Sequence, residues 1–109
     1  MIGIFKENEE RYIGWYEANP GGYVFNHFKG RDPGYNKIHA ATCRTLWRKK
    51  DLGARTRVEK ICSDNLKELI EMTDLIRREK GYTLCKICID EKKLNSFFKH
   101  SNYLCNYNK

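Results

Sequence analysis

The spacing of apolar residues along the chain predicts two helices. In the first, Tyr12, Trp15 and Tyr16 recur at intervals of three and four residues, and acidic residues fill the first turn. This period places the three rings on one face of a helix. The stretch "NPGG" at residues 19–22 is a stop signal, so we expect the helix to span roughly residues 8 to 18.

The second predicted helix has the clearest apolar face in the chain. Asp64 or Asn65 can cap its N-terminus. The residues expected to share its buried face, with Ile76 following them, are Leu66, Leu69, Ile70 and Thr73. Because glycine commonly follows the last turn of a helix, we expect this one to end near Gly81.

Three short runs that are rich in β-branched and aromatic residues predict strands. They are "GYVFNHF" at 22–28, "YNKIHA" at 35–40 and "RVEKIC" at 57–62. The turn signal "DPG" between the first two runs predicts a hairpin with a longer loop. Since the strands are grouped between helices, we expect an α+β fold with an N-terminal helix, a three-stranded antiparallel sheet, one main helix and a zinc-knuckle-like Cys-x-x-Cys segment.

The C-terminal part carries a weaker pattern. The run "EKKLNSFFK" at 91–99 predicts a short helix that presents Leu94, Phe97 and Phe98 to the body of the protein. The last ten residues, "HSNYLCNYNK", are polar, and we expect them to fray. We therefore expect one domain over residues 1–109, with a folded core at 1–99 and a frayed tail at 100–109.

Composition is consistent with a small folded domain. The chain has 109 residues, of which 40% are hydrophobic, 32% are charged and 13% are aromatic. A domain of this size buries less of its surface than a larger one, so a structural ion would add useful stability. The sequence has no apolar run of transmembrane length. Its first residues, "MIGIFKENEERY", begin with an apolar run that is too short and is followed too soon by charged residues to be a signal peptide. We therefore expect a cytoplasmic protein that does not engage a membrane.

Five cysteines need a chemical explanation in a cytosolic chain, where thiols are kept reduced. The odd number also disfavours a complete disulfide framework. A redox role for Cys85 and Cys88 would require the pair to follow a strand and open a helix. Because the pair instead follows the second predicted helix, metal ligands and ordinary buried thiols are the alternatives that stay open.

Two short spacings indicate a metal site. Cys85 and Cys88 have the two-residue spacer that lets both thiolates reach one ion, and His39 and Cys43 are four residues apart. If a helical turn follows His39, both side chains lie on the same face. Zinc takes four nitrogen or sulfur ligands in a tetrahedron, so we predict a structural Zn²⁺ site formed by His39, Cys43, Cys85 and Cys88.

Other cysteine and histidine residues leave alternatives open. Cys62 can be a buried strand residue, or it can replace His39 in a four-cysteine site. His100 and Cys105 lie in the polar tail and are weaker candidates for ligands. Each of the four predicted ligands, taken alone, is also consistent with an ordinary core or surface residue.

Positive charge is concentrated in one segment. Between Arg44 and Lys60 there are seven cations and two acids, a net of +5 out of the formal +7 of the chain. Such a segment suits a polyanion, with cations on phosphates and Trp47 stacked on a base. The alternative is a solvated basic loop with Trp47 turned into the core. The residues predicted to bind nucleic acid are Arg44, Trp47, Arg48, Lys49, Lys50, Arg55 and Arg57.

Two histidines and an asparagine raise the alternative that the protein is an enzyme. His27, Asn36 and His39 look like the His-Asn-His set of the strand-strand-helix metal nucleases. That likeness implies that the first histidine activates water and that the second holds a catalytic cation. His39 cannot easily serve both a catalytic ion and a structural zinc, so this alternative would require Cys62 to complete the structural site.

A wider similarity runs from Trp15 to Cys88. The segments "WYEANPGGYVFN", "IHAATC", "EKIC" and "CKIC" resemble a small prokaryotic domain of the zinc-binding type associated with restriction or mobile-element proteins. The resemblance implies a bacterial or phage setting and a module that acts on or near DNA.

Taken together, these features predict a zinc-stabilised module that binds nucleic acid, DNA rather than RNA, as an accessory or recognition part of a defence or phage system. A protein-interaction module or small inhibitor with an acidic partner is the second interpretation. A metal-dependent nuclease is the third, and we expect a binding protein rather than an enzyme.

Overall fold

The computed structural model describes residues 1–28, 30–78 and 81–89 and shows a small α+β domain. Two α-helices and five strands follow one another along the chain, and two short 3-10 turns, Arg44–Leu46 and Lys49–Asp51, lie between β3 and β4. The bounds of the elements are β1 Gly3–Phe5, α1 Glu9–Ala18, β2 Tyr23–His27, β3 Lys37–Ala40, β4 Glu59–Ser63, α2 Leu66–Arg77 and β5 Thr83–Leu84.

The five strands form one mixed sheet in the order β1-β4-β2-β3-β5. Its three central strands are those that the sequence predicts, and β2 pairs antiparallel with both β3 and β4. The prediction of a three-stranded antiparallel sheet is wrong at both edges, because β1 pairs antiparallel with β4 and β5 pairs parallel with β3. These edge strands contain only three and two residues, too few to show alternation in the sequence.

The sheet carries a hydrophobic layer on each face because side chains alternate along its strands. On one face, α2 covers a cluster centred on Phe25, Ile38 and Ile61, three residues paired across the central strands. On the opposite face, Val24, Cys62 and neighbouring apolar residues pack with α1 and the segment 41–58. The second layer positions the functional site described below.

Both predicted helices are present, and the structure refines their ends. The side chain of Asn8 caps α1 by accepting from the backbone N–H of Arg11. Asn65, rather than Asp64, caps α2 by accepting from the N–H of Glu68. The second helix ends at Arg77, short of the expected Gly81, because the next residue, Arg78, adopts a positive φ of 64°.

Two predictions lie outside the described residues: the short helix at 91–99 with Leu94, Phe97 and Phe98, and the tail with His100 and Cys105. In the part of the chain that is described, neither helix is long and apolar enough to cross a bilayer.

Candidate metal centre

Four side chains from two separate parts of the chain converge beside the sheet. His39 lies on β3, Cys43 follows that strand, and Cys85 and Cys88 follow the parallel edge strand β5. Their potential ligand atoms all lie within 4.8 Å of one another, and only Cys88 is more than slightly exposed. The structure therefore brings together all four residues predicted as metal ligands, in a cluster that can hold a metal ion.

The local geometry differs from the predicted helical turn. His39 is inside β3, and the chain then reverses in a tight turn in which the N–H of Cys43 donates to the carbonyl of Ala40 over 2.9 Å. This turn brings Cys43 back beside His39. The Cys-x-x-Cys segment also follows a strand rather than directly following a helix, and it forms a turn closed by a 3.1 Å bond from the N–H of Ile89 to the carbonyl of Cys85.

The distances suit a metal ion better than a disulfide. The sulfur atoms of Cys43 and Cys85 are 4.0 Å apart, about twice the length of a disulfide bond. Ligands placed about 2.3 Å from a tetrahedral ion lie roughly 3.8 Å from one another. The cluster therefore needs only a small contraction to surround an ion. All four cysteines among the described residues are free thiols.

The pKa shifts of His39 and Cys43 favour the protonation states that a metal ligand needs. Burial, with the charges of Lys37 and Lys60, lowers the pKa of His39 to about 4, so its imidazole is neutral at pH 7 and can offer a lone pair. Burial acts to raise the pKa of Cys43, but hydrogen bonds from Thr45 and the neighbouring thiols hold this pKa below its ordinary value. Burial raises the pKa of Cys88, and coordination to a metal ion would overcome that effect.

Three contacts from neighbouring groups orient the candidate ligands. The backbone N–H of Ala40 donates to Sγ of Cys88 over 3.2 Å. The hydroxyl of Thr45 lies 3.1 Å from Sγ of Cys43 and 3.4 Å from Nδ1 of His39. Such contacts fix the orientation of metal ligands and tune their basicity. Thr45 was not among the predicted site residues, since a lone threonine near a cysteine gives no signal of its own in the sequence.

Cys62 does not belong to the cluster. It is fully buried on β4, where it pairs with Val24 of β2 and packs in the second hydrophobic layer. Burial raises the pKa of its thiol, which is the state of an ordinary core cysteine. Of the two roles considered for Cys62, the structure favours the buried strand residue.

The basic segment begins at Arg44, immediately after Cys43 of the cluster. Arg44, Arg48, Lys49 and Lys50 are exposed on or beside the two 3-10 turns, and Arg57 is exposed near the start of β4. Arg55 differs, because its side chain is only 10% exposed and its guanidinium lies 3.6 Å from a carboxylate oxygen of Glu9. Five of the six cations predicted to bind nucleic acid are therefore available to solvent.

Trp47 packs against the protein body. Its ring stacks on Tyr12 with centroids 5.3 Å apart, tilts against Tyr16 and lies 5.0 Å from the guanidinium of Arg55. Its indole N–H donates to the carbonyl of Ala41 over 2.8 Å. These contacts favour the core role of Trp47 over the base-stacking role.

The structure does not bring the His-Asn-His set together. His39 pairs with Val24 across the sheet, and His27 lies three residues further along β2, so the two histidines point to opposite faces. The ring of His27 contacts Glu59 over 2.8 Å. Asn36 is fully buried and bonds to backbone groups of the hairpin loop, including the N–H of Phe28. These roles are structural.

The chain matches no protein-family model, and no curated protein or solved structure is significantly similar to it. The resemblance to a restriction-associated domain therefore stays a prediction. Function has to be inferred from the metal cluster, the basic segment and the surfaces that they form.

Proposed function

We propose that this protein is a zinc-stabilised module that binds nucleic acid through the exposed cations of its basic segment. One observation carries the proposal: the cluster of His39, Cys43, Cys85 and Cys88 brings the start of the connection that presents these cations together with the turn after β5. An ion at the cluster would fix the start of a surface that otherwise has only short 3-10 turns to hold its shape.

The ligand set supports zinc in particular. Three thiols and one imidazole form a common structural zinc set, and all four positions of a tetrahedron are filled by protein atoms. Such a closed site leaves no position for water or substrate, so the ion would stabilise the fold rather than catalyse a reaction. This supports a binding module rather than an enzyme.

The exposed charges support a polyanionic partner. Arg44, Arg48, Lys49 and Lys50 lie within seven consecutive residues, and no carboxylate among the described residues forms an ion pair with any of them. Cations arranged in this way gain affinity for a phosphate backbone by releasing counterions. We favour DNA and a bacterial defence or phage system because of the resemblance to a restriction-associated domain.

An acidic protein is the second candidate partner. The position of Trp47 favours it, because the segment then offers charge without an aromatic platform for bases. An acidic protein surface can meet the same exposed cations.

Salt dependence tests the nucleic-acid proposal. We expect fluorescence anisotropy with 5′-hydroxyl oligonucleotides, single- and double-stranded, to show binding whose log affinity falls linearly with log salt by about 0.9 per duplex phosphate contacted. Arg48→Ala or Lys50→Ala should each reduce that slope by about one, independently of sequence. Lys67→Ala is the matched control, because Lys67 is exposed on α2, which covers the opposite face of the sheet. This variant should leave the slope unchanged.

Absence of binding at low salt by folded, metal-loaded protein would remove nucleic acid as the partner. Stoichiometric capture of an acidic protein by the same preparation would then favour the second candidate.

A further inference from the structure

A cleft of about 540 Å³ opens beside the metal cluster. Its floor contains Asn26 of β2 between Lys37 of β3 and Lys60 of β4, and the sheet register pairs Asn26 with both lysines. The three side chains therefore form a row across adjacent strands, on the face that carries His39. This row places one cation on each side of Asn26 at the base of the cleft.

Lys60 is the most unusual residue of this row. It is only 6% exposed, and its ammonium group donates to the side-chain oxygen of Asn26 and lies 3.5 Å from the carbonyl of Val58. Both partners are neutral. Within the described part of the chain, no carboxylate lies within ion-pair distance of Lys60. A buried charge without a counter-ion is costly, so the site favours an anion that supplies one.

The wall of the cleft adds more positive charge. Arg48 and Arg55 line it, and Asp51 is the single acid among its described lining residues. The side chain of Arg55 is nine-tenths buried, and its Nε atom has no hydrogen-bond partner in the described regions. The described lining thus carries four cations against one carboxylate. One of these cations, Arg55, pairs with Glu9 and keeps its Nε as an unsatisfied buried donor.

The rim provides an aromatic surface. Tyr35 borders the cleft and is 62% exposed, with its ring 5.5 Å from that of Phe28. A nucleobase can stack on such a ring while its phosphate reaches the cations below. The volume lies in the usual range of small-molecule sites.

We propose that this cleft binds the phosphate monoester of a nucleotide, with Lys37, Lys60 and Arg48 holding the phosphate and Tyr35 contacting the base. The inference goes beyond the proposed function, because the exposed cations of the basic segment would contact backbone phosphates along a strand, whereas the cleft would recognise one terminal phosphate. Arg48 belongs to both surfaces, and Lys37 and the buried Lys60 belong to the cleft alone. That phosphate belongs either to a free nucleotide or to the end of a strand.

Two pairs of probes distinguish the sources. Calorimetry with adenosine 5′-monophosphate and with adenosine tests the free nucleotide. Anisotropy with one single-stranded oligonucleotide, carrying either a 5′-phosphate or a 5′-hydroxyl, tests the strand end. We expect the phosphorylated probe of at least one pair to bind about tenfold or more tightly than its partner, as expected for hydrogen bonds to a charged group.

Variants then assign the effect to the cleft. Lys60→Met should abolish the preference for phosphate, and Lys37→Met, at a half-buried strand position, provides a second test if the first variant folds poorly. Tyr35→Ala should weaken the binding of adenosine 5′-monophosphate and leave the affinity for inorganic phosphate unchanged. Lys67→Met, on α2, is the control and should bind as the wild type.

The inference is overturned if phosphate adds no affinity in either pair, or if folded Lys60→Met and Lys37→Met keep the full preference. Its failure is separable from failure of the proposed function. Salt-dependent binding of the 5′-hydroxyl oligonucleotides, which have no terminal phosphate, would still show that the basic segment binds nucleic acid.

Discussion

Lys60 shows how a single residue can oppose folding at neutral pH. Burial lowers its pKa from 10.5 to about 8, although the charge of Asp51 acts in the opposite direction. The ammonium is therefore still mostly protonated at pH 7, in a place that disfavours its charge. A difference of this size corresponds to about 3 kcal/mol of folding free energy.

Replacing Lys60 should therefore stabilise the protein in a pH-dependent way. The unfolded chain binds the proton more tightly than the folded chain, so the penalty is complete below about pH 8 and disappears as the pH rises toward 10.5. We expect Lys60→Met to raise the free energy of unfolding by about 1–3 kcal/mol at pH 7. The gain should shrink by pH 9.5. Denaturant unfolding of both proteins at the two pH values measures it.

Lys67→Met provides the reference, since its side chain is exposed and should change stability little at either pH. A gain for Lys60→Met that does not change between pH 7 and 9.5 would show that its charge is not penalised by folding.

At this scale, local spacing predicted the residues of the candidate metal cluster but not the cleft. Cys85 and Cys88, like His39 and Cys43, are close in sequence, so their chemistry is visible there. Lys60 becomes a neighbour of Asn26 only through the register of two strands that are 34 residues apart. A spacing rule cannot detect such a pair.

At the scale of elements, the segment 41–58 depends on anchoring more than on helix propensity. Its two 3-10 turns are three residues long each. Trp47 joins them to α1 through its contacts with Tyr12 and Tyr16, and its indole N–H holds the carbonyl of Ala41. The ring is therefore a structural anchor for the exposed cations.

We expect Trp47→Ala to lower the free energy of unfolding by about 3–5 kcal/mol, because it removes a large packed ring and its hydrogen bond. Trp47→Phe keeps most of the packing and loses the bond to Ala41, so a loss of about 1 kcal/mol is expected. Chemical denaturation followed by circular dichroism measures both. If Trp47→Ala were as stable as the wild type but bound single strands more weakly, the ring would be a base-stacking platform.

The long periodic elements were predictable, whereas the short ones were not. Both helices and the three central strands have enough residues to show a period. β1 and β5 form because tertiary pairing with β4 and β3 satisfies their backbone groups, and their sequences alone do not reveal this. The tight turn at Cys43 was missed for the same reason, since spacing alone did not separate it from a helical turn.

At the scale of the whole molecule, the metal cluster connects regions that are far apart in sequence. Cys43 and Cys85 are 42 residues apart, and the chain between them contains the basic segment, β4 and α2. Metal binding at such a site contributes directly to folding free energy. We therefore expect the stability of the domain to depend on the ion.

Protein purified without chelator should contain close to one equivalent of zinc, measured by mass spectrometry of the metal. The Cys85→Ser, Cys88→Ser double variant should lose it and unfold at a temperature lower by about 10 °C or more. Cys62→Ala is the matched control, because it removes a buried thiol outside the cluster and should keep the metal. Full metal retention in the double variant would place the ion elsewhere.

The cluster also determines what a break in the chain would do. His39 and Cys43 precede the exposed stretch at 48–50, and Cys85 and Cys88 follow it. A protease cutting after lysine or arginine there would leave two fragments that each carry two ligands. A bound ion would then cross-link the two fragments, so the cleaved molecule would stay associated. Removing the ion with a chelator would leave only strand pairing and side-chain packing to hold the fragments together.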